Sequence, residues 1–325
     1  MRKNAFLYFH SPCFDGIISA VVASDFLENH CRWVFERYCA VDYSLRDIWL
    51  SHSLGKRCAV VDFIYHPQAT FWADHHTTTF LNADTKRDFT RRRRGRTLFY
   101  DDRLGSCSKL LWQALKDAFS YRNEAYSNMV EWAERIDSAR YSSVAEAVLG
   151  ETPALRIRAS LGVNEDPGFF EGLVTALRSK TLDEVAGLPQ VDIRARHVRS
   201  QIEAGLERLK HSIWVDDNGI VVFDVDSRGV AISRYAPYFF FPDARYSAGI
   251  VRSNHGTKIT AMRNPWRDFP SVKLGKIFER FGGGGHERVG SVLIPDTLDA
   301  RTTLHKIVDQ IRFEDVTPQL QESRP

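Results

Sequence analysis

The chain has 325 residues, of which 43% are hydrophobic and 26% are charged, and its formal net charge is +3. This length suits two domains better than one. No apolar run approaches the roughly 18–20 residues of a membrane helix, and the N-terminus becomes polar too soon for a secretory signal. Five cysteines without a CxxC pair argue against a disulfide framework or a thiolate zinc site, and predict a cytoplasmic protein.

Short apolar runs alternate with helical patterns in residues 1–150. The predicted strands are Ala5–His10, Trp33–Tyr38, Cys58–Val61, Ala69–Ala73 and Thr97–Tyr100, and the predicted helices are Gly16–Leu27 and Ser106–Phe119. Strands separated by helices predict an α/β fold with a doubly wound, mostly parallel sheet. Ligands of such sheets bind at the carboxyl ends of the strands.

Residues 151–212 are predicted to form a helical connector that ends in a long polar helix, Arg194–Leu209. Residues 213–325 return to mixed structure. The predicted strands there are Gly219–Val225, Ala244–Arg252, Thr257–Arg263 and Ser291–Ile294, and the predicted helix is Ser271–Phe281. We therefore expect a second, smaller α/β domain after the connector.

One short segment concentrates positive charge against a single acid, Asp88. Its basic residues are Lys86, Arg87, Arg91, Arg92, Arg93, Arg94 and Arg96. We expect a basic loop that attracts phosphates, and that offers a track for long strands if the protein is a nuclease. The same composition is equally compatible with a solvated loop that has no ligand.

Candidate metal ligands follow three of the predicted strands. His10 ends the first strand, Asp62 follows the third, and Asp74 follows the fourth and is joined directly to His75 and His76. Each has an ordinary alternative, because an Asp after a strand commonly caps a helix or opens a turn. Independent explanations of that kind would not place all of them at the ends of one sheet, so we group them.

Phosphoester cleavage is the chemistry that such a group suits. Two divalent cations roughly 3.5–4 Å apart can bind the phosphate, lower the pKa of a bridging water and stabilise the leaving oxygen. Holding them takes several carboxylates and imidazoles, a mixture that suits Mn²⁺. Asp15, after the first strand, and Asp137, at the end of a later helix, supply two further carboxylates. The residues therefore predict a two-metal phosphoesterase site.

A glycine run, Gly282–Gly285, follows a predicted helix and precedes His286. Glycines let a backbone approach a phosphate or a base closely and expose N–H donors. The run is also compatible with a helix C-cap or a flexible turn. The histidine that follows favours a role in facing a ligand.

These motifs, in this order, resemble those of the DHH phosphoesterases with an attached DHHA1 domain. That superfamily includes RecJ-type exonucleases, nanoRNA and pAp phosphatases and cyclic-dinucleotide phosphodiesterases. The matching segments are His10–Ala20, Val60–Phe63, Asp74–His76, Asp137 on its helix, and Gly283–His286 with Val289–Gly290. The resemblance implies a DHH domain over 1–150, the connector over 151–212 and a DHHA1 domain over 213–325.

The resemblance implies a role for each candidate in the first domain. His10 would bind a first manganese ion, and Asp15 and His75 a second. Asp62 and Asp137 would bridge the two ions or share them, and Co²⁺ or Mg²⁺ are alternatives to Mn²⁺. The catalytic residues would be Asp74, which orients the site from behind, and His76, which contacts the scissile phosphate or the leaving oxygen.

In the second domain the resemblance implies a substrate-binding group that holds the far end of the substrate across the interdomain cleft. Its members are Arg263, Gly283, Gly284, Gly285 and His286. Arg263 is also compatible with a surface charge.

Cys13 departs from the family pattern, in which many relatives carry an aspartate two residues before the equivalent of Asp15. A thiol is a poor partner for Mn²⁺. The first metal would then have fewer protein ligands, bind more weakly or be a different ion.

The expected function is hydrolysis of short RNA or DNA oligonucleotides, or of linear dinucleotides, to 5′-mononucleotides, as in nanoRNases. The alternatives within the same chemistry are a pAp phosphatase and a cyclic-dinucleotide phosphodiesterase. A nucleotide-binding module impaired in catalysis through Cys13 is the alternative of another class. A homodimer is compatible with the sequence, which predicts no membrane partner.

Overall fold

The computed structural model describes residues 4–55, 57–163, 166–295 and 297–322. The chain divides into two compact units: the first is Met1–Arg140 with Glu151–His197, and the second is Tyr141–Gly150 with Val198–Pro325. This division differs from the predicted one in two ways: residues 141–150 group with the second unit, and the residues of the predicted connector 151–212 are divided between the two units after His197. The three domains expected at 1–150, 151–212 and 213–325 stay a prediction.

Strands and helices alternate through most of the first part of the chain, a run of helices follows over residues 107–210, and mixed strands and helices return after it. The strands are β1 Asn4–His10, β2 Val34–Val41, β3 Cys58–Val61, β4 Phe71–Asp74, β5 Leu98–Tyr100, β6 Ile213–Val215, β7 Ile220–Asp226, β8 Tyr246–Ser253, β9 Gly256–Arg263, β10 Gly284–His286 and β11 Val289–Ile294. The helices are α1 Phe14–Asn29, α2 Ala83–Arg92, α3 Cys107–Phe119, α4 Ser127–Asp137, α5 Val144–Leu149, α6 Pro153–Ser160, α7 Pro167–Leu177, α8 Leu182–Ala186, α9 Pro189–Lys210, α10 Ala236–Phe240, α11 Leu274–Glu279 and α12 Ala300–Glu322. None of these helices, over the residues described, is long and apolar enough to cross a membrane.

The first unit is built on a parallel sheet with the strand order β2-β1-β3-β4-β5. Successive side chains of β1 point to opposite faces: Leu7 and Phe9 join the core that contains α1, and Tyr8 joins a second core around Trp49. Both faces are therefore covered, which is why these strands read as continuous apolar runs. The predicted doubly wound, parallel α/β arrangement is confirmed.

The second unit contains a mixed six-stranded sheet with the order β10-β11-β9-β8-β7-β6. Only the β7–β8 pair is parallel among these described strands. Ile277 and Phe278 of α11 and Ile307 and Ile311 of α12 are buried in the same core as the sheet. The predicted second α/β unit is confirmed, although β6, β10 and α12 were not predicted.

The expected basic loop is wrong, because most of the segment is the helix α2. Asn82 and Thr85 form a capping box at its start, and Phe89 is buried in the core around Trp72. The capping box stabilises the start of the helix, and the buried Phe89 anchors it to the core. The segment continues beyond α2 with a short 3-10 turn, Arg93–Gly95. Arg96 follows it with a left-handed backbone conformation.

Gly16 allows α1 to begin directly against the end of β1. A Cβ atom at this position would lie 2.0 Å from the carbonyl oxygen of His10 and 3.2 Å from Oδ2 of Asp62. The carbonyl oxygen of His10 is a backbone atom, so it cannot move away by changing rotamer as a flexible side chain can. Glycine at position 16 therefore brings Asp15 close to the end of the sheet.

We expect Gly16→Ala to lower the free energy of unfolding by about 1–3 kcal/mol, the usual effect of forcing extra volume into a packed region. Gly172→Ala is the matched control, because Gly172 lies in α7 with no atom within 4 Å of its added Cβ, and alanine favours helix. Urea unfolding followed by circular dichroism compares the two. Equal midpoints for the two variants would contradict this account of Gly16.

Candidate metal centre

The residues that follow the strands of the first unit meet at the carboxyl edge of its sheet. His10 is the last residue of β1, Asp62 follows β3 directly, and Asp74 is the last residue of β4. The strands β1, β3 and β4 are neighbours in the sheet. Adjacent parallel strands that end together place these side chains within reach of one another.

Asp62 lies at the middle of this group. Its Oδ2 atom is 3.4 Å from Nδ1 of His10, and its Oδ1 atom is 3.7 Å from Nε2 of His75 and 3.8 Å from Nδ1 of His76. It is 1% exposed, and neither carboxylate oxygen has a hydrogen-bond partner among the described residues. Burial alone would raise the pKa of Asp62, but the neighbouring imidazoles, His10 first, lower it.

The backbone of Asp62 is in the left-handed region, with φ at +56°. Only a few per cent of residues other than glycine take this conformation, and Asp is among those that tolerate it best. The backbone N–H of Asp62 donates to the carbonyl of Ala73, which ties the turn to β4. The turn therefore aims an unpaired carboxylate between two imidazoles, and such strain clusters at functional sites.

Asp15 is held by the N-terminus of α3. Its carboxylate accepts hydrogen bonds from the backbone N–H groups of Cys107 at 2.7 Å and of Ser108 at 3.0 Å. The positive end of a helix offsets part of the cost of burying a carboxylate. Burial and the nearby Asp62 and Asp137 nevertheless raise the pKa of Asp15 well above its usual value. A cation beside this carboxylate would reverse that effect.

His75 is oriented by a hydrogen bond from Nδ1 to the carbonyl oxygen of Leu104 at 3.1 Å. A carbonyl only accepts, so Nδ1 carries a proton and Nε2 faces the carboxylates. The distances from Nε2 are 3.2 Å to Asp137, 3.7 Å to Asp62 and 4.0 Å to Asp15. Metal-binding histidines are commonly oriented in this way by a carbonyl behind the ring.

The carboxylates around His75 attract positive charge. Burial by itself would lower the pKa of His75, but Asp137, Asp15 and Asp62 together raise it to about 10. A metal ion that binds Nε2 would replace the proton held there and supply the positive charge in its place.

Asp74 supports His76 from behind. Its Oδ1 atom accepts hydrogen bonds from the backbone N–H of His75 and from Nδ1 of His76, both at 2.8 Å. The side chain of His76 is 31% exposed, against 10% for His75. Burial would lower the pKa of His76, but Asp74 and Asp62 raise it to about 9. The two adjacent histidines therefore have different surroundings, one buried among carboxylates and one more open to solvent.

Cys13 lies at the start of α1 and is partly buried. Burial and the neighbouring Asp62, Asp137 and Asp15 raise the pKa of its thiol well above the usual value. Its sulfur forms a group of possible ligands with His10 and Asp62, in which all donor atoms lie within 4.8 Å of one another.

The donor atoms fall into overlapping sets that fit divalent metal ions. Within each set the donor atoms lie within 4.8 Å of one another; the sets are His10 with Cys13 and Asp62, Asp15 with His75 and Asp137, and Asp62 with Asp74, His75 and His76. Several of these possible metal-ligand atoms are buried and have no hydrogen-bond partner among the described residues. They are His10 Nδ1, both Asp62 oxygens, Asp74 Oδ2 and His75 Nε2. Buried polar atoms are rarely left unpaired, so the donor set fits bound cations.

The sequence did not identify the groups that hold the ligands in place. These are the carbonyl of Leu104 and the backbone N–H groups of Cys107 and Ser108. Main-chain groups exist at nearly every position, so no residue type marks them. The ring of Tyr43, with its centroid 4.9 Å from that of His10, was also not predicted.

Arg263, in the second unit, is buried, and its guanidinium is already engaged. It donates to the carbonyls of Asn264 and Phe269, both at 3.0 Å, and stacks on the Phe269 ring at 4.3 Å. Burial, followed by the nearby Arg288, lowers its pKa. These contacts account for Arg263 as a structural residue, and its predicted role in binding substrate stays a prediction.

The glycine run includes the strand β10, which pairs with β11 at the edge of the second sheet. A Cβ atom added to Gly283 would lie 2.3 Å from the carbonyl oxygen of Ser291, and one added to Gly285 would lie 2.2 Å from the carbonyl oxygen of Val289. A Cβ atom added to Gly284 would meet no atom within 4 Å. Strand packing therefore requires two of the three glycines. The side chain of His286 lies outside the described residues, so the substrate contacts expected here stay predictions.

Residues 91–96 of the basic segment lie at the amino end of the first sheet, whereas the metal centre lies at its carboxyl end. Leu98, the first residue of β5, pairs with Trp72, and Tyr100, the last, pairs with Asp74, so residues 91–96 precede the amino end of β5. Arg92 has a structural role, because it donates to the carbonyl of Ala69 at 2.6 Å. This placement separates residues 91–96 from the metal centre.

Comparisons with known proteins identify the fold. No protein-family model matches the chain, and no curated protein matches it. Among solved structures, the chain is similar to PggH of Vibrio cholerae, described as a pGpG-specific phosphodiesterase, with a TM-score of 0.73, 17% identity and coverage of 96% of this chain and 100% of PggH. It is also similar to RecJ of Thermus thermophilus in complex with Mn²⁺, with a TM-score of 0.58, 13% identity and coverage of 97% and 52%.

The RecJ structure in complex with Mg²⁺ gives a TM-score of 0.55 at 13% identity, with coverage of 97% of this chain and 50% of RecJ. The chain therefore has the fold of the DHH/DHHA1 phosphoesterases, as its motifs indicated.

We expect Mn²⁺ to stabilise the metal-free protein, because a ligand that binds only the folded state adds about 2.7 kcal/mol at 100 times its Kd. Asp62→Asn should remove most of this effect, since asparagine keeps the shape and the tolerance of positive φ but lacks the charge. Asp84→Asn, at an exposed position on α2, is the control. Thermal unfolding with and without Mn²⁺ measures the shift. An equal shift in both variants would show that Asp62 does not bind metal.

Proposed function

We propose that this protein is a metal-dependent phosphodiesterase that hydrolyses linear dinucleotides and short oligonucleotides to 5′-mononucleotides. The observation that carries the proposal is the cluster of buried, unpaired donors centred on Asp62, with His10 on one side and His75 on the other. Mixed carboxylate and imidazole donors suit Mn²⁺, and Co²⁺ or Mg²⁺ are alternatives. Divalent ions held there would activate water and neutralise charge on the phosphate.

The residues around the ions have separate tasks in this proposal. Asp62 is placed to serve two ions, because one oxygen faces His10 and the other faces His75. Asp15 and Asp137 complete the set around His75, and α3 and Leu104 keep Asp15 and His75 in position. Ligands held by their surroundings need little rearrangement when substrate binds, which favours catalysis.

His76 is the residue proposed to contact the reacting phosphate. Asp74 fixes its orientation through the hydrogen bond to Nδ1, and Asp74 and Asp62 raise its pKa despite burial, which favours a protonated ring. A charged imidazole can donate a hydrogen bond to a phosphate oxygen and can protonate the leaving oxygen. His76 is also the more exposed of the two adjacent histidines, which suits contact with a substrate.

A linear dinucleotide is the preferred substrate class because PggH, which this chain matches over its whole length, is described as specific for pGpG. The assay compares pGpG, an unphosphorylated diribonucleotide, a cyclic dinucleotide, pAp and a long single strand, each with Mn²⁺. We expect the linear dinucleotides to be cleaved fastest. Hydrolysis of pAp without cleavage of any dinucleotide would favour the alternative function, a pAp phosphatase. Ligand binding without turnover under any of Mn²⁺, Co²⁺ or Mg²⁺ would favour a binding module.

We expect His76→Gln to lower kcat by about 10²–10⁴-fold, the usual contribution of a positioned acid or base, while the number of bound Mn²⁺ ions is unchanged. His197→Gln, at an exposed position on α9, is the matched control. Steady-state kinetics gives kcat, and electron paramagnetic resonance counts free and bound Mn²⁺. Loss of a bound ion in the His76 variant would instead make His76 a metal ligand.

A further inference from the structure

The donor cluster has two chemically different halves. One half contains Asp15, His75 and Asp137, which offer two carboxylates and an imidazole. The other contains His10 and Asp62, together with the sulfur of Cys13. Cys13 is the only cysteine found in a donor group across the part of the chain that the structure describes.

The surroundings of Cys13 point to a ligand independently of the cysteine itself. Asp62 is 1% exposed, and its Oδ2 atom faces His10 without a hydrogen-bond partner among the described residues. Nδ1 of His10 is equally buried and unpaired in the same part of the chain. The sulfur therefore lies beside two buried donor atoms, 3.4 Å apart, that a shared cation would satisfy together.

Helix capping does not account for Cys13. The residue occupies the N-cap position of α1, where Ser, Thr, Asp and Asn are preferred because their side-chain oxygen accepts a backbone N–H. The Cys13 side chain makes no capping hydrogen bond. Its sulfur instead belongs to the group of possible ligands that it forms with His10 and Asp62.

We propose that the two halves select different metal ions: Asp15, His75 and Asp137 hold a hard ion such as Mn²⁺ or Mg²⁺, and His10, Cys13 and Asp62 hold a thiolate-binding ion such as Zn²⁺ or Co²⁺. Thiolates select softer ions, and carboxylates select harder ones. Binding releases the thiol proton to solvent, and sulfur, nitrogen and oxygen together form a donor set that Zn²⁺ accepts. This inference rests on the proposed two-metal phosphodiesterase.

Cobalt spectroscopy tests the thiolate without any need for activity. Metal-free protein is titrated with Co²⁺, and the near-ultraviolet charge-transfer absorption of a cobalt–thiolate bond is recorded. We expect the absorption to saturate after one of two bound equivalents. Cys13→Ser should abolish it, and Cys31→Ser, which changes a partly buried cysteine beyond the other end of α1, should retain it. Absence of the band in the unmodified protein, or its persistence in Cys13→Ser, would overturn the proposal.

Cys13→Asp provides a second arm that converts the half-site to harder donors. We expect it to lose Zn²⁺ affinity by more than the roughly 10–100-fold that loss of an outer-shell partner costs, and to bind two Mn²⁺ ions. Circular dichroism confirms that each variant is folded. If the unmodified protein binds no divalent ion, the proposed function fails. If it binds two ions without a thiolate band, only the present inference fails.

Discussion

A buried carboxylate without a hydrogen-bond partner of its own is the constraint on which the rest of the first unit depends. Moving a charged group out of water costs several kcal/mol unless another charge compensates. Asp62 is almost fully buried, yet both of its oxygens are unpaired among the described residues. The compensation comes from imidazoles on either side, and a bound cation would complete it. The parallel sheet, the left-handed turn at Asp62 and the close start of α1 at Gly16 all keep this carboxylate in place.

The ligands around Asp62 are positioned by main-chain groups rather than by other side chains. The N-terminus of α3 holds Asp15, and the carbonyl of Leu104, in the segment between β5 and α3, orients His75. One short stretch of chain therefore fixes two ligands that are 60 residues apart in sequence, as their residue numbers show. Main-chain groups are held by secondary structure, so the donor geometry inherits the rigidity of the sheet and of α3.

Most of the fold and the central part of the site could be predicted because each leaves a local pattern. Apolar runs marked β1, β3 and β4, and ligand-type residues at the ends of these strands marked the site. The helix α2 was not predicted because the segment was judged by its many charged residues, and the capping box and the buried Phe89 were overlooked. The predicted role of Arg263 in binding substrate stays a prediction, and the sequence did not reveal its contacts with carbonyls and an aromatic ring. Burial depends on the tertiary fold, and a single arginine in a sequence does not reveal it.

The number and spacing of the cysteines argue against a site with several thiolates, but they say nothing about a site with a single thiolate. Five cysteines without a CxxC pair argue against a structural site with several thiolates, and that argument stands. A site with one sulfur, one imidazole and one carboxylate leaves no spacing pattern, because its members are joined only by the fold. Cys13 lies three residues after His10 and far in sequence from Asp62, yet all three donors meet at the end of β1 and β3. In the proposed site the choice of metal would depend on a single atom, a sulfur beside one imidazole and one carboxylate.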